Sequence, residues 1–162
     1  LIVDTAGNEA LKIDANGHVT EPKQSAFLAS PSSNITNIAV RSDTTIVFDT
    51  VIFDQNGDYD NSTGIFTAPV TGRYAFYFNT RVESLPTNCV WWQWSMVSSN
   101  TSNYMLTSQQ FGSAIDYFGQ NNIMFLDMDA NDTTLIQWYQ NYGDQQVDIN
   151  AASTKFGGHL VC

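Results

Sequence analysis

The chain has 162 residues, 43% of them apolar and 14% charged, with six Lys plus Arg against sixteen Asp plus Glu and a net charge of −10. That length carries one folded domain and an appendage, and the composition is globular, not disordered. The acidic balance excludes a nucleic-acid partner, which needs a basic patch to neutralise phosphates, and no apolar run approaches the ~18 residues of a spanning helix, so no membrane insertion is expected.

Residues 1–24 read LIVDTAGNEALKIDANGHVTEPKQ. There is no initiator Met and no charged-then-apolar leader pattern, so the chain reads as the C-terminal part of something longer. Val3-Asp4-Thr5-Ala6-Gly7-Asn8 and Ile13-Asp14-Ala15-Asn16-Gly17-His18-Val19 resemble each other, each placing Asp and then Gly after an apolar residue. Such phrases make turns. With Ile2, Val3, Leu11, Ile13 and Val19 as its sizeable apolar residues, the segment cannot bury a core of its own. It needs copies of itself, along the chain or from neighbouring chains; the alternative is an N-terminal strand pair of the following domain. Pro22 closes it, giving a stem of 1–24 and a domain of 25–162.

From Ser25 onward the pattern predicts strands at 25–29, 46–54, 63–68, 72–82, 90–98, 103–109, 122–128, 133–140 and 155–161. Turn formers separate them: PSSN, QNGD, PVTG, LPTN, DAND and NYGD. Many short strands between turns predict an all-β sandwich or jelly roll, and no 3.6-residue periodicity supports a helix longer than a turn.

Strand 72–82 is apolar on both faces. Tyr74, Phe76 and Phe78 point one way, Ala75 and Tyr77 the other. Strand 122–128 behaves alike, with Ile123 and Phe125 alternating against Met124, Leu126 and Met128. A sandwich strand with one wet face should be polar at every second position. A homo-oligomer interface holding Tyr77 and Phe125 covers the second face; a covering loop is the alternative. Cys89 and Cys162 are expected as free thiols, with a pairing left open.

The run IVFDTVIFDQNGDYDNSTGIFTAPVTGRYAFYFN, followed by STKFGGHLV, resembles the globular head of complement component C1q. The matching residues are Phe48, Val51, Tyr59, Asp60, Gly64, Phe66, Ala68, Pro69, Gly72, Tyr74 and Phe76, then Phe156, Gly158 and Leu160, with SAFLAS fitting the first strand. The resemblance covers residues 25–162. It implies a C1q/tumour necrosis factor-like ten-strand jelly roll assembled as a homotrimer. No Gly-X-Y period precedes it. Instead LKIDANGHVTEPKQSAF is similar to the lead-in of bacteriophage tail-fibre and whisker proteins that end in a C1q-like knob. That implies a virion fibre head binding a host-cell surface glycan or protein, or trimerising the fibre. The alternative is a secreted C1q-domain pattern-recognition or lectin-like protein, for which the sequons at Asn34, Asn61, Asn100 and Asn131 are candidate glycan sites.

Strand parity puts three loops at the tip, 83–89, 109–121 and 141–154, and fibre proteins meet targets with distal loops on a rigid scaffold. The second offers Phe111, Asp116, Tyr117 and Phe118; the third offers Tyr142, Asp144, Gln145, Gln146 and Asp148. Aromatics beside amides and carboxylates suit sugars, and equally suit a packed trimer apex. No cofactor is required. The resemblance implies a calcium option at the apex, with Asp116 at a matching position, but its partner region near Ser108 and Gln109 carries no acid. Asp127, Asp129 and Asp132 lack the Gly and terminal Glu of a calcium loop and read as a turn. No enzyme is expected: His18 sits in the stem, His159 in the last strand, and no nucleophile elbow, metal-spaced His pair or phosphate loop appears.

Overall fold

The computed structural model describes residues 2–3, 6–107, 112–144 and 146–162, with backbone alone for 3 and 104–107. The stem phrases fold as expected of turn formers. β1 (Ile2–Val3), β2 (Glu9–Ile13) and β3 (Val19–Thr20) form an antiparallel sheet separate from both sheets of the remaining chain. The β2–β3 turn is built on Asp14. Its carboxylate accepts from Asn16 N at 2.8 Å, His18 N at 2.9 Å and His18 Nδ1 at 2.9 Å, while Gly17 supplies φ +85°. The His18 side-chain bond, followed by its backbone bond, holds the Asp14 carboxyl below the usual carboxylate range.

The chain then turns at Glu21–Gln24 and is pinned to the strands that follow by side-chain amides. Gln55 Nε2 donates to Glu21 O at 2.6 Å, Asn56 Nδ2 to Lys23 O at 2.9 Å, and Gln24 Nε2 to Leu160 O at 2.9 Å.

Beyond Ser25, thirteen strand segments form two sheets among the described residues. They are β4 (Ala26–Ser30), β5 (Ile35–Ile38), β6 (Thr44–Thr45), β7 (Thr50–Asp54), β8 (Tyr59–Asp60), β9 (Ile65–Thr67), β10 (Gly72–Leu85), β11 (Trp91–Ser98), β12 (Ser102–Thr107), β13 (Ile115–Met128), β14 (Thr133–Asn141), β15 (Val147–Ile149) and β16 (Lys155–Leu160). One sheet runs β5-β15-β10-β16-β4-β7, with β13 along the other edge of β10; the second runs β12-β11-β14-β9-β8, with β6 also on β14. The one helical piece described is a 3₁₀ turn, Ala151–Ser153. This is the expected all-β jelly roll.

The sheets close on aromatic residues. Near the stem, Phe66 packs against Phe27 at 5.1 Å, Phe76 at 5.2 Å and Tyr74 at 5.6 Å between ring centroids, and Phe156 joins Phe27 and Phe48. Farther up, Trp138 stacks on Trp92 at 5.2 Å and meets Trp94 edge-on at 5.0 Å. The Tyr59 hydroxyl is buried, accepting from Phe48 N at 3.2 Å and lying 3.3 Å from Phe48 O; burial holds it un-ionised far above the ordinary range of a phenol.

Three predicted bounds are corrected. The strand expected at 46–54 is only β7, with Ile46–Asp49 irregular between it and β6, because Ile46 and Phe48 bury their side chains while Asp49 caps Ser32. The loop expected at 109–121 ends early, since β13 begins at Ile115 and pairs with β10 along its length. The loop expected at 141–154 contains β15. Cys89 is buried and Cys162 exposed, and they do not pair.

Candidate functional site

Register, not proximity in sequence, builds an outward apolar row across one sheet. Phe53 on β7 stands opposite Leu28, Leu28 opposite Gly157, Gly157 opposite Tyr77, and Tyr77 opposite Ile123. One rung toward the stem, Ala26, His159, Ala75 and Phe125 align in the same way. Ile123 and Phe125 are 71% and 68% exposed. The second face inferred from the doubled alternation of 72–82 and 122–128 is therefore real and uncovered within the chain.

Both ends of this face are polar. Toward the stem, Arg73 Nε meets Asp127 Oδ1 at 3.1 Å. Away from it, Arg81 donates from Nε at 3.0 Å and Nη2 at 2.6 Å to Glu83 Oε1, and its guanidinium lies 4.8 Å from the Tyr117 ring centre. Tyr77 is half-buried, and burial pushes its phenol up.

Tyr77 can lie flat because its neighbour is glycine. A Cβ on Gly157 would stand 2.7 Å from Phe27 O and 2.8 Å from the Tyr77 ring, and one on Gly158 would stand 2.5 Å from Phe76 Cδ1. The Gly-Gly pair thus seats one aromatic of β10 on each sheet face. We expect Gly157→Ala to cost about 1–3 kcal/mol, because the backbone carbonyl cannot retreat as a side chain can. Urea melts check this; an unchanged midpoint would contradict the close seating.

At the end opposite the stem, the end of β10 meets the start of β13 and the start of β11 meets the end of β14, as strand parity predicted: Leu85 pairs with Ile115, and Trp91 with Asn141. Tyr142 is half-exposed at φ +62°, with the Arg41 guanidinium 4.8 Å from its ring centre. Asp144 is exposed, and its N donates to Asn88 Oδ1 at 3.3 Å. Asn88, Val90, Tyr142, Gly143 and Asp144 line a cleft of about 490 Å³. Asn88, Val90 and Arg41 were not singled out in the sequence; the LPTN turn was the available signal for Asn88.

The other expected apical residues divide. Gln146 is exposed near the cleft's loop. Asp116 is exposed, but on β13 instead of in a loop. Tyr117 is also on β13, on the outward face. Phe118 turns inward and packs edge-on against Trp92 at 5.1 Å, a correction that follows from its pairing with buried Val82. Asp148 lies on β15, where its carboxylate accepts from Asn37 N at 2.7 Å and holds the chain together. Phe111 and Gln145 lie outside the described residues.

Among the described residues no three acids, histidines or cysteines gather to hold a metal, and a single Asp116 carboxylate offers two of the six to eight oxygens that calcium takes. Asp132 forms the expected turn, accepting from Ser99 Oγ at 2.7 Å and from Asp129 N at 2.7 Å.

These features define a two-sheet jelly roll with one uncovered apolar face and a cleft at the end away from the stem. The chain belongs to the C1q domain family, whose model matches residues 26–161. Its structure is similar to the globular domain of zebrafish complement 1qA protein, with 18% identity, a TM-score of 0.61, and coverage of 86% of this chain and 98% of that one. It is similar to murine APRIL at 11% identity and a TM-score of 0.60, over 86% of this chain and all of that one. At these identities the likeness is one of fold. No curated protein matches the sequence.

Proposed function

We propose that this chain is the trimeric head of a virion fibre or whisker, with a stem of 1–24 and a head of 25–162, and that it attaches to a host-surface glycan or protein. It acts by binding and not by catalysis. The observation that carries the reading is the apolar row from Phe53 to Ile123 with Phe125 beside it. Large exposed apolar faces mark contacts, and a closed ring of identical copies covers this one most simply. Tyr77 and Phe125 then lie between copies. The cleft of Tyr142, Asp144 and Asn88 points away from the stem, where a fibre meets its target.

The exposure of all four sequon asparagines, Asn34, Asn61, Asn100 and Asn131, favours a second reading, a secreted C1q-domain recognition protein. Glycans found on the native protein would support it over the fibre.

The test is the solution mass by light scattering, with and without a chelator, followed by binding to host cells and a glycan array. Three times the chain mass under both conditions is the expected result. Tyr142→Ala and Asp144→Ala should keep that mass and lose binding. A single-chain mass overturns the assembly, and binding unaffected by either substitution overturns the apical site.

A further inference from the structure

The stem sheet presents a face that nothing in its own chain covers. Ile2 stands opposite Leu11, and Ile13 opposite Val19; Leu11 and Ile13 are two apart on β2, so these four aliphatic side chains share one face. Ile2, Ile13 and Val19 are 60%, 56% and 57% exposed. A sheet this small persists in water when its apolar face is packed against something.

We infer that this face is covered by the same face of the other two copies, making the stem a second assembly element; the inference rests on the trimer proposed above. The path of the chain argues for copies over a foreign partner. From Thr20 the backbone reaches Ala26 within about 20 Å even if extended, and the three amide bonds at Glu21, Lys23 and Gln24 fix that passage to the head. Ala26 stands opposite His159 on the rung that continues through Ala75 to Phe125. The stem therefore leaves from the end of a strand in the sheet whose face joins the heads, and heads joined there bring their stems side by side. Symmetry then supplies each stem with identical apolar faces, and the uncharged four-residue stripe has no repulsion to overcome. Glu9, at the edge of this face, is drawn aside by Lys12, 3.9 Å away.

The test compares the full chain with its Leu11→Asp, Ile13→Asp double variant by light scattering and amide hydrogen exchange. In the wild-type trimer, the amides of the Glu9–Ile13 strand should exchange at least roughly tenfold more slowly than in the variant. The variant should keep the three-copy mass and the head's near-ultraviolet circular dichroism, because the substitutions lie outside the head. A wild-type trimer whose stem amides exchange as fast as the variant's overturns this inference and leaves the head assembly standing. A wild-type chain that is monomeric overturns the trimer reading, and the stem inference falls with it.

Discussion

Ile123→Asp combined with Phe125→Ser should convert the proposed trimer to single chains at micromolar concentration, with little change in the stability of the separate chain. Both side chains point away from the core, at 71% and 68% exposure, so their removal leaves no cavity. In an assembly they become the centre of each contact. Full burial of such side chains contributes about 1.5–3 kcal/mol apiece, and a trimer loses both at every repeat of the contact. An aspartate at 123 adds a carboxylate that must be desolvated beside Tyr77 without a cation on its rung of the sheet, a penalty of several kcal/mol per ion. Arg73 is no remedy, since it is paired with Asp127, two rungs nearer the stem than residue 123. Light scattering reads the mass and a thermal melt reads the fold. A variant that stays trimeric would sink the β10–β13 face as the interface.

The parts of this molecule that could be read from sequence are those where one residue's environment is fixed by its own strand. The C1q-like run is such a case. Phe48, Tyr59, Phe66, Ala68, Tyr74, Phe76 and Phe156 are each buried, so the pattern records the packing of a core. That is why it announces a fold and is silent about a ligand. The uncovered face was legible for the same reason, as two apolar sets on one strand cannot both face inward.

What was not legible depends on partners distant in sequence. Ile115–Asn121 reads as a loop because Gly119 and the amides of Gln120 and Asn121 have weak strand preference. It is a strand because β10, fourteen residues long, offers its backbone along the whole edge. Phe118 was assigned outward by that misreading and inward by the pairing. The short β5 was missed because Asn37 breaks it with φ +58°, a conformation tolerated because Asp148 bonds its N–H. The apical cleft joins Asn88 to Asp144 across two loops, and no pattern within either loop carries that contact.

Phe66→Ala should be the most damaging single change to the fold itself, and the comparison with Phe53→Ala shows why. Both are phenylalanines on strands, but Phe66 is fully buried and Phe53 is 45% exposed. Phe66 lies between the sheets and touches Phe27 on β4 and Tyr74 and Phe76 on β10, so truncation removes three ring contacts to two strands at once. Such buried Phe→Ala changes cost about 3–5 kcal/mol, part transfer and part cavity. Against a total stability of about 5–15 kcal/mol, that lowers the melting temperature by roughly 10 °C, at about 2–4 °C per kcal/mol for a chain of this size. Phe53→Ala leaves no interior cavity and should melt close to wild type as a monomer, its loss registering instead in assembly through the row it begins. Calorimetry on the monomeric Ile123→Asp, Phe125→Ser background separates the two effects, since association can no longer contribute to the melt. Equal losses for Phe66 and Phe53 there would mean that the aromatic cluster near the stem is not the packing centre of the head.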